Sequence, residues 1–335
     1  MLERSSVLCV GLVGTGYAAR LRAETLIADP RSHLVAVAGH SPEKTAAFGQ
    51  THQAEAIASW EELVVRPDLD LVIIATINRD HGAIARAALE ANKHVVVEYP
   101  LALDVAEAEA LLALAKARQR LLHIEHIDHL SGIYQTIRDA LPQIGTPFYV
   151  RYTSTSAQRP APQKWTYHPQ LFGFPLVGAL SRIHRLVDLF GTVASIGCQS
   201  RFRLADGTQH NDPNQPLPYT ACLCSAQMRF TSGLVADLVY GKGEAVWQSE
   251  RRFEAHGSLG LVRVEPSGGE LLLPDGSRSL AVGSRRGLFA QDTTMVLDCL
   301  TQGAPLYITP SQSIYALKVA DAARQAAVTQ QVITL

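Results

Sequence analysis

The sequence lacks an excess of charge of either sign. It contains 30 lysines and arginines against 31 aspartates and glutamates, for a formal net charge of −1 at neutral pH. Nothing in this balance of charge indicates a nucleic-acid or acidic-membrane partner. We therefore expect neither kind of partner.

Cysteine is scarce and scattered. The five cysteines are odd in number, and Cys222 and Cys224 alternate along an expected strand rather than forming the Cys-x-x-Cys pair of a metal site. Stable disulfides form in oxidising compartments, so scattered thiols are typical of a reduced protein. We expect a cytoplasmic protein with free thiols.

Long hydrophobic runs are also missing. The apolar stretch VLCVGLVGTG near the N-terminus is too short to span a membrane, and no small-residue cleavage pattern follows it. It is better interpreted as a buried strand.

The composition, 47% hydrophobic and 18% charged, is that of a globular protein, and 335 residues suffice for two domains.

Strands and helices alternate strictly over the first 126 residues. Each expected strand is a short β-branched apolar run, as in parallel strands that are buried on both faces. This pattern predicts a doubly wound parallel sheet of the Rossmann type. The expected strands cover residues 7–13, 33–39, 70–76, 94–99 and 121–126, and the expected helices cover 17–29, 42–50, 60–65, 80–91 and 104–119.

The pattern changes after about residue 128. Segments with period-two alternation follow, which is typical of an antiparallel sheet with one covered face. We predict an α/β protein: a Rossmann domain over residues 1–128 and an α+β domain with a large, mainly antiparallel sheet over residues 129–335. The second domain's expected strands cover 148–156, 194–202, 221–230, 233–241, 251–258 and 260–265, with helices at 176–190, 290–301 and 311–327.

A glycine-rich turn follows the first expected strand. Gly14, Thr15, Gly16 and Tyr17 begin a G-x-G-x-x-A segment that ends at Ala19. Between a strand and a helix this is the dinucleotide fingerprint, in which the glycines permit a tight turn and let the pyrophosphate approach the helix N-terminus. The alternative is a glycine-rich turn that binds nothing.

The end of the second expected strand indicates which dinucleotide is bound. An NAD enzyme usually places Asp or Glu there for the ribose hydroxyl. This strand instead ends in His40 and Ser41, with Lys44 one turn into the next helix. A hydroxyl and a cation without a carboxylate suit the 2′-phosphate of NADPH. The alternative is that Ser41 only caps the helix and that Lys44 is a solvated surface charge.

A family pattern lies between residues 75 and 102. ATINRDH, followed by KHVVVEYPLA, resembles the glucose–fructose oxidoreductase and inositol dehydrogenase family, which has A-T-P-N-x-x-H and K-H-V-x-x-E-K-P-L-A. The resemblance covers nearly the whole chain. It implies that the loop after the third strand and the Glu-x-Pro turn flank the nicotinamide. The matching cofactor positions are Ala75, Thr76, Asn78, His81 and Glu98.

Two catalytic positions of that family are replaced. Family dehydrogenases use the lysine of Glu-Lys-Pro and the histidine of Asp-x-Gly-x-His-x-x-Asp. This chain has Tyr99 at the lysine and, with the segment aligned at Asp188, Arg185 at the histidine. Arginine does not lose its proton at usable pH, so a base-driven alcohol oxidation is not expected. A cation there suits the reduction of an electron-rich or anionic substrate.

These replacements, with PAPQKWTYHPQLFGFPLV, ALSRIHRLVDLFG and GSRRGLFAQDT, resemble the biliverdin reductases, a group within that family. The resemblance implies hydride transfer from NADPH to the central methine carbon of biliverdin, giving bilirubin, with Arg185 assisting protonation. A flat tetrapyrrole with two propionates requires apolar faces and guanidinium groups. The candidate substrate residues are His126, Trp165, Tyr167, Arg182 and Arg285.

Other interpretations stay open. The chain could act on a sugar, inositol or diol, or bind a nucleotide as a sensor without catalysis. The cluster HIEHIDH, residues 123–129, is rich in metal-ligand types. On a strand, however, His123 and Glu125 share one face while His126 takes the other. We therefore expect no metal site and favour a role near the substrate.

Overall fold

The structure, a computed structural model, describes residues 7–335. It divides into two compact units. The first unit runs to Ile127 and includes Gly287–Ile314, and the second comprises Asp128–Arg286 and Tyr315–Leu335. The first change of unit falls beside the expected boundary at residue 128. The return of residues 287–314 to the first unit has no counterpart in the sequence-based prediction.

A six-stranded sheet forms the centre of the first unit. Its strands are β1 (Leu8–Val13), β2 (Ser32–Ala38), β3 (Glu55–Ile57), β4 (Leu71–Ile74), β5 (His94–Val97) and β6 (Leu122–Ile124). They are all parallel, in the order β3-β2-β1-β4-β5-β6. Every residue of β4 is buried, as in a central strand of a parallel sheet. The predicted Rossmann sheet is confirmed.

The helices between these strands are α1 (Tyr17–Ala28), α2 (Pro42–His52), α3 (Trp60–Val64), α4 (His81–Glu90) and α5 (Val105–Arg118). Three of them begin at a side-chain cap, which for α3 is Ser59 accepting the N–H of Glu62. Ser41 accepts the N–H of Lys44, and Asp104 accepts the N–H of Glu107. Each cap satisfies a backbone donor that the first helical turn leaves unpaired.

A ten-stranded sheet dominates the second unit. Its strands are β7 (Pro147–Ala157), β8 (Val193–Arg203), β9 (Gln209–His210), β10 (Ala221–Phe230), β11 (Val235–Gly243), β12 (Glu250–Gly257), β13 (Gly260–Glu265), β14 (Gly268–Leu273), β15 (Gly276–Leu280) and β16 (Ile333–Thr334). The order is β15-β14-β13-β12-β7-β11-β10-β8-β16, with β9 beside β8. Strands β7 and β11 pair in parallel and the other neighbours pair antiparallel. The predicted, mainly antiparallel sheet is confirmed.

The remaining helices are α6 (Gly132–Ala140), α7 (Pro169–Phe172), α8 (Pro175–Gly178), α9 (Ser181–Phe190), α10 (Leu288–Gln302) and α11 (Pro310–Thr329). The helix predicted over 176–190 is thus two helices, because Ala179 leaves the helical region with ψ +40°. Strands β3, β9, β14, β15 and β16 have no counterpart among the predicted strands. The residues of β15, for example, are mostly exposed and show no apolar alternation. Among the described residues, no helix is long and apolar enough to cross a membrane.

Helix α10 belongs to the core of the first unit although it is distant in sequence. Its residues Val296 and Leu297 are buried with Val10 and Leu12 of β1 in one apolar cluster. Burial of such side chains contributes about 1.5–3 kcal/mol each. This packing explains why a late segment of the chain groups with the Rossmann sheet.

Candidate active site

The glycine-rich turn joins β1 to α1. Gly14 has φ +130°, and a Cβ there would lie 2.2 Å from the backbone oxygen of Ala75, so glycine is required. At Gly16 a Cβ would meet nothing within 4 Å. Within the described part of the chain, no side chain caps α1, which leaves the backbone donors of its first turn without a side-chain acceptor there. Open space over an uncapped helix N-terminus fits the pyrophosphate of a dinucleotide.

Two residues beside the glycine-rich turn, Gly39 and Tyr17, have different surroundings. A Cβ on Gly39, at the end of β2, would lie 2.9 Å from Thr15 Cγ2, so the turn and the end of β2 pack closely. Tyr17 is 70% exposed and meets Phe289 edge to face, with ring centroids 6.1 Å apart. Sequence reasoning missed Gly39, whose lack of a side chain is the signal for such close approach.

The residues after β2, which were predicted to select the cofactor, lie among charges of both signs. Ser41 caps α2 and donates a hydrogen bond to Glu43 Oε2 at 2.8 Å, while Lys44 is exposed. His40 Nε2 lies 3.2 Å from a carboxylate oxygen of Asp80. Asp80 also accepts a 2.8 Å hydrogen bond from Arg79, an exposed cation that was not among the predicted site residues.

His81 joins the two segments that are expected to flank the nicotinamide. Its Nδ1 lies 2.8 Å from the backbone oxygen of Pro100, and its Nε2 lies 3.4 Å from that of Thr76. Burial lowers the pKa of His81, so the neutral ring donates through Nδ1 to Pro100. Asn78, in the same loop, is buried as well. Both ring nitrogens of His81 therefore face backbone carbonyl groups, so the ring links the Thr76 loop to the Glu-x-Pro turn.

Glu98 belongs to a buried ionic network of the first unit. It accepts a 2.8 Å hydrogen bond from Arg22, which also donates to Asp292 at 2.8 Å. His123 Nε2 lies 2.8 Å from the other oxygen of Asp292. Burial by itself raises the pKa of Asp292, but Arg22 and His123 outweigh it and hold that pKa well below its usual range. Burial, with the nearby carboxylates of Glu98 and Asp292, raises the pKa of Glu125 well above its usual range.

The metal hypothesis for residues 123–129 finds no support in the part of the chain that the structure describes. Within residues 7–335, no three His, Cys, Asp or Glu side chains are placed to hold an ion together. His123 is engaged with Asp292, and His126 Nε2 lies 2.8 Å from Ser313 Oγ. These histidines take part in hydrogen-bonded networks of the first unit.

Tyr99, which replaces the family lysine, stacks on His126. Their ring centroids are 5.1 Å apart and their planes differ by 11°. His126 is fully buried, and its backbone N–H donates to the hydroxyl of Tyr307 at 3.1 Å. The structure thus brings together one residue predicted to be catalytic and one predicted to bind substrate.

Arg185 lies on α9 in the second unit and is 1% exposed. Its Nη2 donates to Asp128, and its guanidinium carbon lies 5.0 Å from the ring centroid of Tyr152. Its Nε and Nη1 are buried without a hydrogen-bond partner among residues 7–335. Burial opposes its charge, but Asp128 and Tyr152 outweigh this and raise the pKa of Arg185. Buried donors of this kind are normally satisfied, so these two groups stand out among the buried polar atoms of the second unit.

Asp128 is the centre of a cationic cluster in the second unit. Arg285 Nη2 lies 3.2 Å from its second oxygen, and Arg182 is close enough to influence it. Burial by itself raises the pKa of Asp128, but Arg185, Arg182 and Arg285 outweigh it and lower that pKa. Three arginines thus act on one buried carboxylate.

The segment that carries Arg285 is docked through backbone contacts. A Cβ on Gly132, the first residue of α6, would lie 2.2 Å from the backbone carbon of Gly283. The N–H of Gly132 donates to the oxygen of Ser284 at 3.3 Å. Sequence reasoning missed this contact, because nothing near Gly132 in the chain reveals a partner about 150 residues later.

The two predicted aromatic contacts differ in exposure. Trp165 is half-buried, with its ring centroid 5.7 Å from that of Phe172. Tyr167 is 3% exposed and packs against Tyr219 at 5.6 Å. Trp165 is therefore partly exposed, whereas Tyr167 is a buried residue of the same segment.

Two family models match the chain. The model described as "Oxidoreductase family, NAD-binding Rossmann fold" matches residues 8–126, and the model described as "Oxidoreductase family, C-terminal alpha/beta domain" matches residues 140–335. The chain belongs to this oxidoreductase family, the glucose–fructose oxidoreductase and inositol dehydrogenase family that its motifs resemble. It is an NAD(P)H-dependent oxidoreductase.

Individual relatives include bilin and sugar enzymes. A solved structure of biliverdin reductase from Synechocystis sp. PCC 6803, in complex with biliverdin and NADP+, has a TM-score of 0.90 and 50% identity, covering 95% of this chain and 98% of that one. Biliverdin reductase A of Mus musculus is 29% identical over 198 residues, 59% of this chain and 63% of the relative. UDP-N-acetylglucosamine 3-dehydrogenase of Acidithiobacillus ferrooxidans is 32% identical over 154 residues, 46% of each. The chain spans less than two thirds of the length of these two curated relatives.

Proposed function

We propose that this protein is an NADPH-dependent biliverdin reductase. In the reaction, a hydride adds to the central methine carbon of biliverdin and a proton adds to a pyrrole nitrogen, which gives bilirubin and NADP+. When bound, NADPH supplies the hydride. We also propose that residues 1–128 bind the cofactor and residues 129–335 bind the substrate. The similarity to the Synechocystis enzyme supports this assignment over that of a sugar dehydrogenase.

The observation that carries the proposal is the buried cation at Arg185. A dehydrogenase needs a base at this position, but arginine keeps its proton, and Asp128 raises the pKa of this one further. We infer that Arg185 stabilises the negative charge that develops on the bilin as hydride arrives. Its two unsatisfied N–H groups suit a lactam oxygen or an ordered water. The pyrrole proton then comes from solvent rather than from the guanidinium.

The cationic cluster suits the two propionates of biliverdin. Arg185, Arg182 and Arg285 all lower the pKa of Asp128, and Arg285 Nη2 lies 3.2 Å from one of its oxygens. We propose that Arg182 and Arg285 bind a propionate, since guanidinium groups pair with carboxylates in a bidentate geometry. The half-buried indole of Trp165 provides an apolar face for the flat tetrapyrrole. The remaining proposed substrate residues are Tyr167 and His126. We propose that Tyr167 supports the segment that carries Trp165 and that His126 supports the ring of Tyr99.

The replacement of the family lysine by Tyr99 is consistent with the same reaction. Reduction of a conjugated methine needs no lysine to polarise an alcohol oxygen. A phenol held flat by the His126 ring instead presents a neutral aromatic face. We propose that this face lies beside the nicotinamide and limits access of water.

The glycine-rich turn fits a dinucleotide, since Gly16 leaves open space over an uncapped helix N-terminus. We propose NADPH because no carboxylate ends β2 and Lys44 is exposed beside Ser41. The proposed cofactor contacts are Gly14, Thr15, Gly16, Tyr17, His40, Ser41, Lys44, Ala75, Thr76, Asn78, His81 and Glu98. A Michaelis constant lower for NADH than for NADPH would contradict this preference.

An anaerobic absorbance time course of the protein with NADPH and biliverdin tests the function. We expect loss of the green pigment, growth of a yellow one and NADPH consumption in equal amount. Inactivity towards biliverdin, with oxidation of polyols by NADP+, would assign the protein to the sugar and diol enzymes. NADPH binding without turnover of any bilin would instead indicate a sensor.

A further inference from the structure

Lys242, near the end of β11, is a buried lysine whose ammonium group is enclosed by aromatic rings. It is 7% exposed. Its Nζ lies 4.0 Å from the ring centroid of Phe172, 4.7 Å from that of Tyr167 and 5.5 Å from that of Tyr219. Cation–π contacts are strongest when they are desolvated, and they require each ring face to stay turned toward the charge.

Lys242 also holds the backbone of the same segment. Its Nζ donates a hydrogen bond to the backbone oxygen of Thr166. The hydroxyl of Tyr219 donates to that oxygen at 3.1 Å, and the N–H of Tyr219 donates to the oxygen of Tyr167 at 3.0 Å. We call residues 164–172 the aromatic segment. Its middle is therefore fixed to the sheet at one carbonyl group.

These contacts bear directly on Trp165. Thr166 is its neighbour in the chain, and Phe172 is the ring on which its indole rests at 5.7 Å. Phe172 is confined from another side, because a Cβ on Gly178 would come within 2.5 Å of its ring. The ammonium group of Lys242 thus holds both the backbone and the ring that set the orientation of Trp165.

We propose that Lys242 is a positioning residue for the substrate. Its ammonium group holds the aromatic segment so that the partly exposed indole of Trp165 is oriented toward the tetrapyrrole. The proposal rests on the proposed function, which makes Trp165 a substrate contact. An apolar side chain of similar length would fill the cage at a smaller desolvation cost. The charge of Lys242 therefore contributes orientation rather than packing.

The test compares Lys242→Met with the matched control Lys164→Met, which removes an exposed lysine from the same segment. Acrylamide quenching of Trp165, isolated by subtracting the signal of the corresponding Trp165→Phe proteins, reports the segment without any substrate. We expect a larger quenching constant for Lys242→Met and an unchanged one for Lys164→Met. The KM for biliverdin should rise about tenfold in Lys242→Met with kcat within about twofold. Lys242→Arg, which keeps the charge, should restore most of the KM.

Each outcome separates the two proposals. Unchanged quenching in folded Lys242→Met protein would overturn the positioning role, whatever the substrate. Equal KM values for biliverdin in the wild type and in Lys242→Met would also overturn it. If the wild type does not reduce biliverdin but its quenching responds as expected, the proposed function fails and the hold on Trp165 stands.

The wild-type protein provides a test that needs no substitution. Burial lowers the pKa of Lys242 to about 8, so the cage loses its cation as the pH rises through that value. Quenching of Trp165 should rise over that range in the wild type and stay flat in Lys242→Met; a flat wild-type profile would overturn the proposal. Burial raises the pKa values of the facing thiols and phenols, and the facing arginine stays charged. These groups are Cys222, Cys224, Tyr167, Tyr219 and Arg182.

Discussion

Arg185 of α9 donates a hydrogen bond to Asp128, which lies 57 residues earlier in the chain. Both side chains are buried, and the pair fixes one edge of the guanidinium while two of its N–H groups stay unsatisfied. A cation held in this way is preorganised, because it does not have to move when charge develops on a substrate. The pair is therefore the centre of the proposed substrate site.

Replacement of Arg185 should abolish most of the turnover but leave the cofactor bound. We expect Arg185→Ala to lower kcat for biliverdin about 100-fold, as for the loss of one charge-stabilising donor. The Kd for NADPH should not change, because the fingerprint residues belong to the first unit. Arg185→Lys should recover part of the rate. Arg138→Ala, an exposed arginine of α6, is the control; equal losses in both variants would contradict the assignment.

Two glycines of the cofactor turn should respond differently to alanine. Gly14→Ala should destabilise the fold by about 1–3 kcal/mol, since its Cβ would lie 2.2 Å from a backbone oxygen at φ +130°. Gly16→Ala meets only open space and should leave the melting temperature unchanged. It should nevertheless weaken NADPH binding, because the new methyl group occupies the space left for the pyrophosphate. Thermal melts and fluorescence titration with NADPH measure both; unchanged affinity in Gly16→Ala would argue against this cofactor position.

Substitution of Gly132 should act on substrate binding from a distance. In Gly132→Ala the Cβ would meet the backbone of Gly283 at 2.2 Å, so the segment that carries Arg285 must shift. We expect the KM for biliverdin to rise by about the same factor as in Arg285→Ala, roughly tenfold. The double variant should add little more, because both changes remove the same contact. Additive effects of the two substitutions would show that Gly132 acts elsewhere.

The ionic network around Arg22 predicts a pH-dependent stability. The pKa of Asp292 is lower in the folded than in the unfolded protein, so its contribution is complete above about pH 4 and is lost as the pH falls. Asp292→Asn should therefore cost about 3 kcal/mol of unfolding free energy at neutral pH. The difference from the wild type should shrink in acid, as measured by urea denaturation. Asp298→Asn, a more exposed carboxylate of α10, should cost less than about 1 kcal/mol; a gap that widens in acid would refute the sign.

Local patterns of the sequence predicted both sheets and the glycine-rich turn, although not every strand of the sheets. Strand β10 runs over the predicted residues 221–230, because alternation of apolar and polar side chains is a local property that burial of one sheet face imposes. Strand β15 escaped detection because it is exposed on most of its length and has no such constraint. The break between α8 and α9 was not predicted either, because it falls at Ala179, whose backbone leaves the helical region although alanine favours a helix.

The sequence by itself determined the chemistry that is available: a glycine-rich turn, a tyrosine at the lysine position and an arginine where a base would stand. These three features can be identified from residue types at fixed spacing within short stretches of the chain. Only the tertiary structure decided their partners. Asp128 for Arg185, His126 for Tyr99, Arg22 for Glu98 and the aromatic cage for Lys242 are contacts between distant segments. Packing and electrostatics across the folded units select such pairs, and no local pattern encodes them.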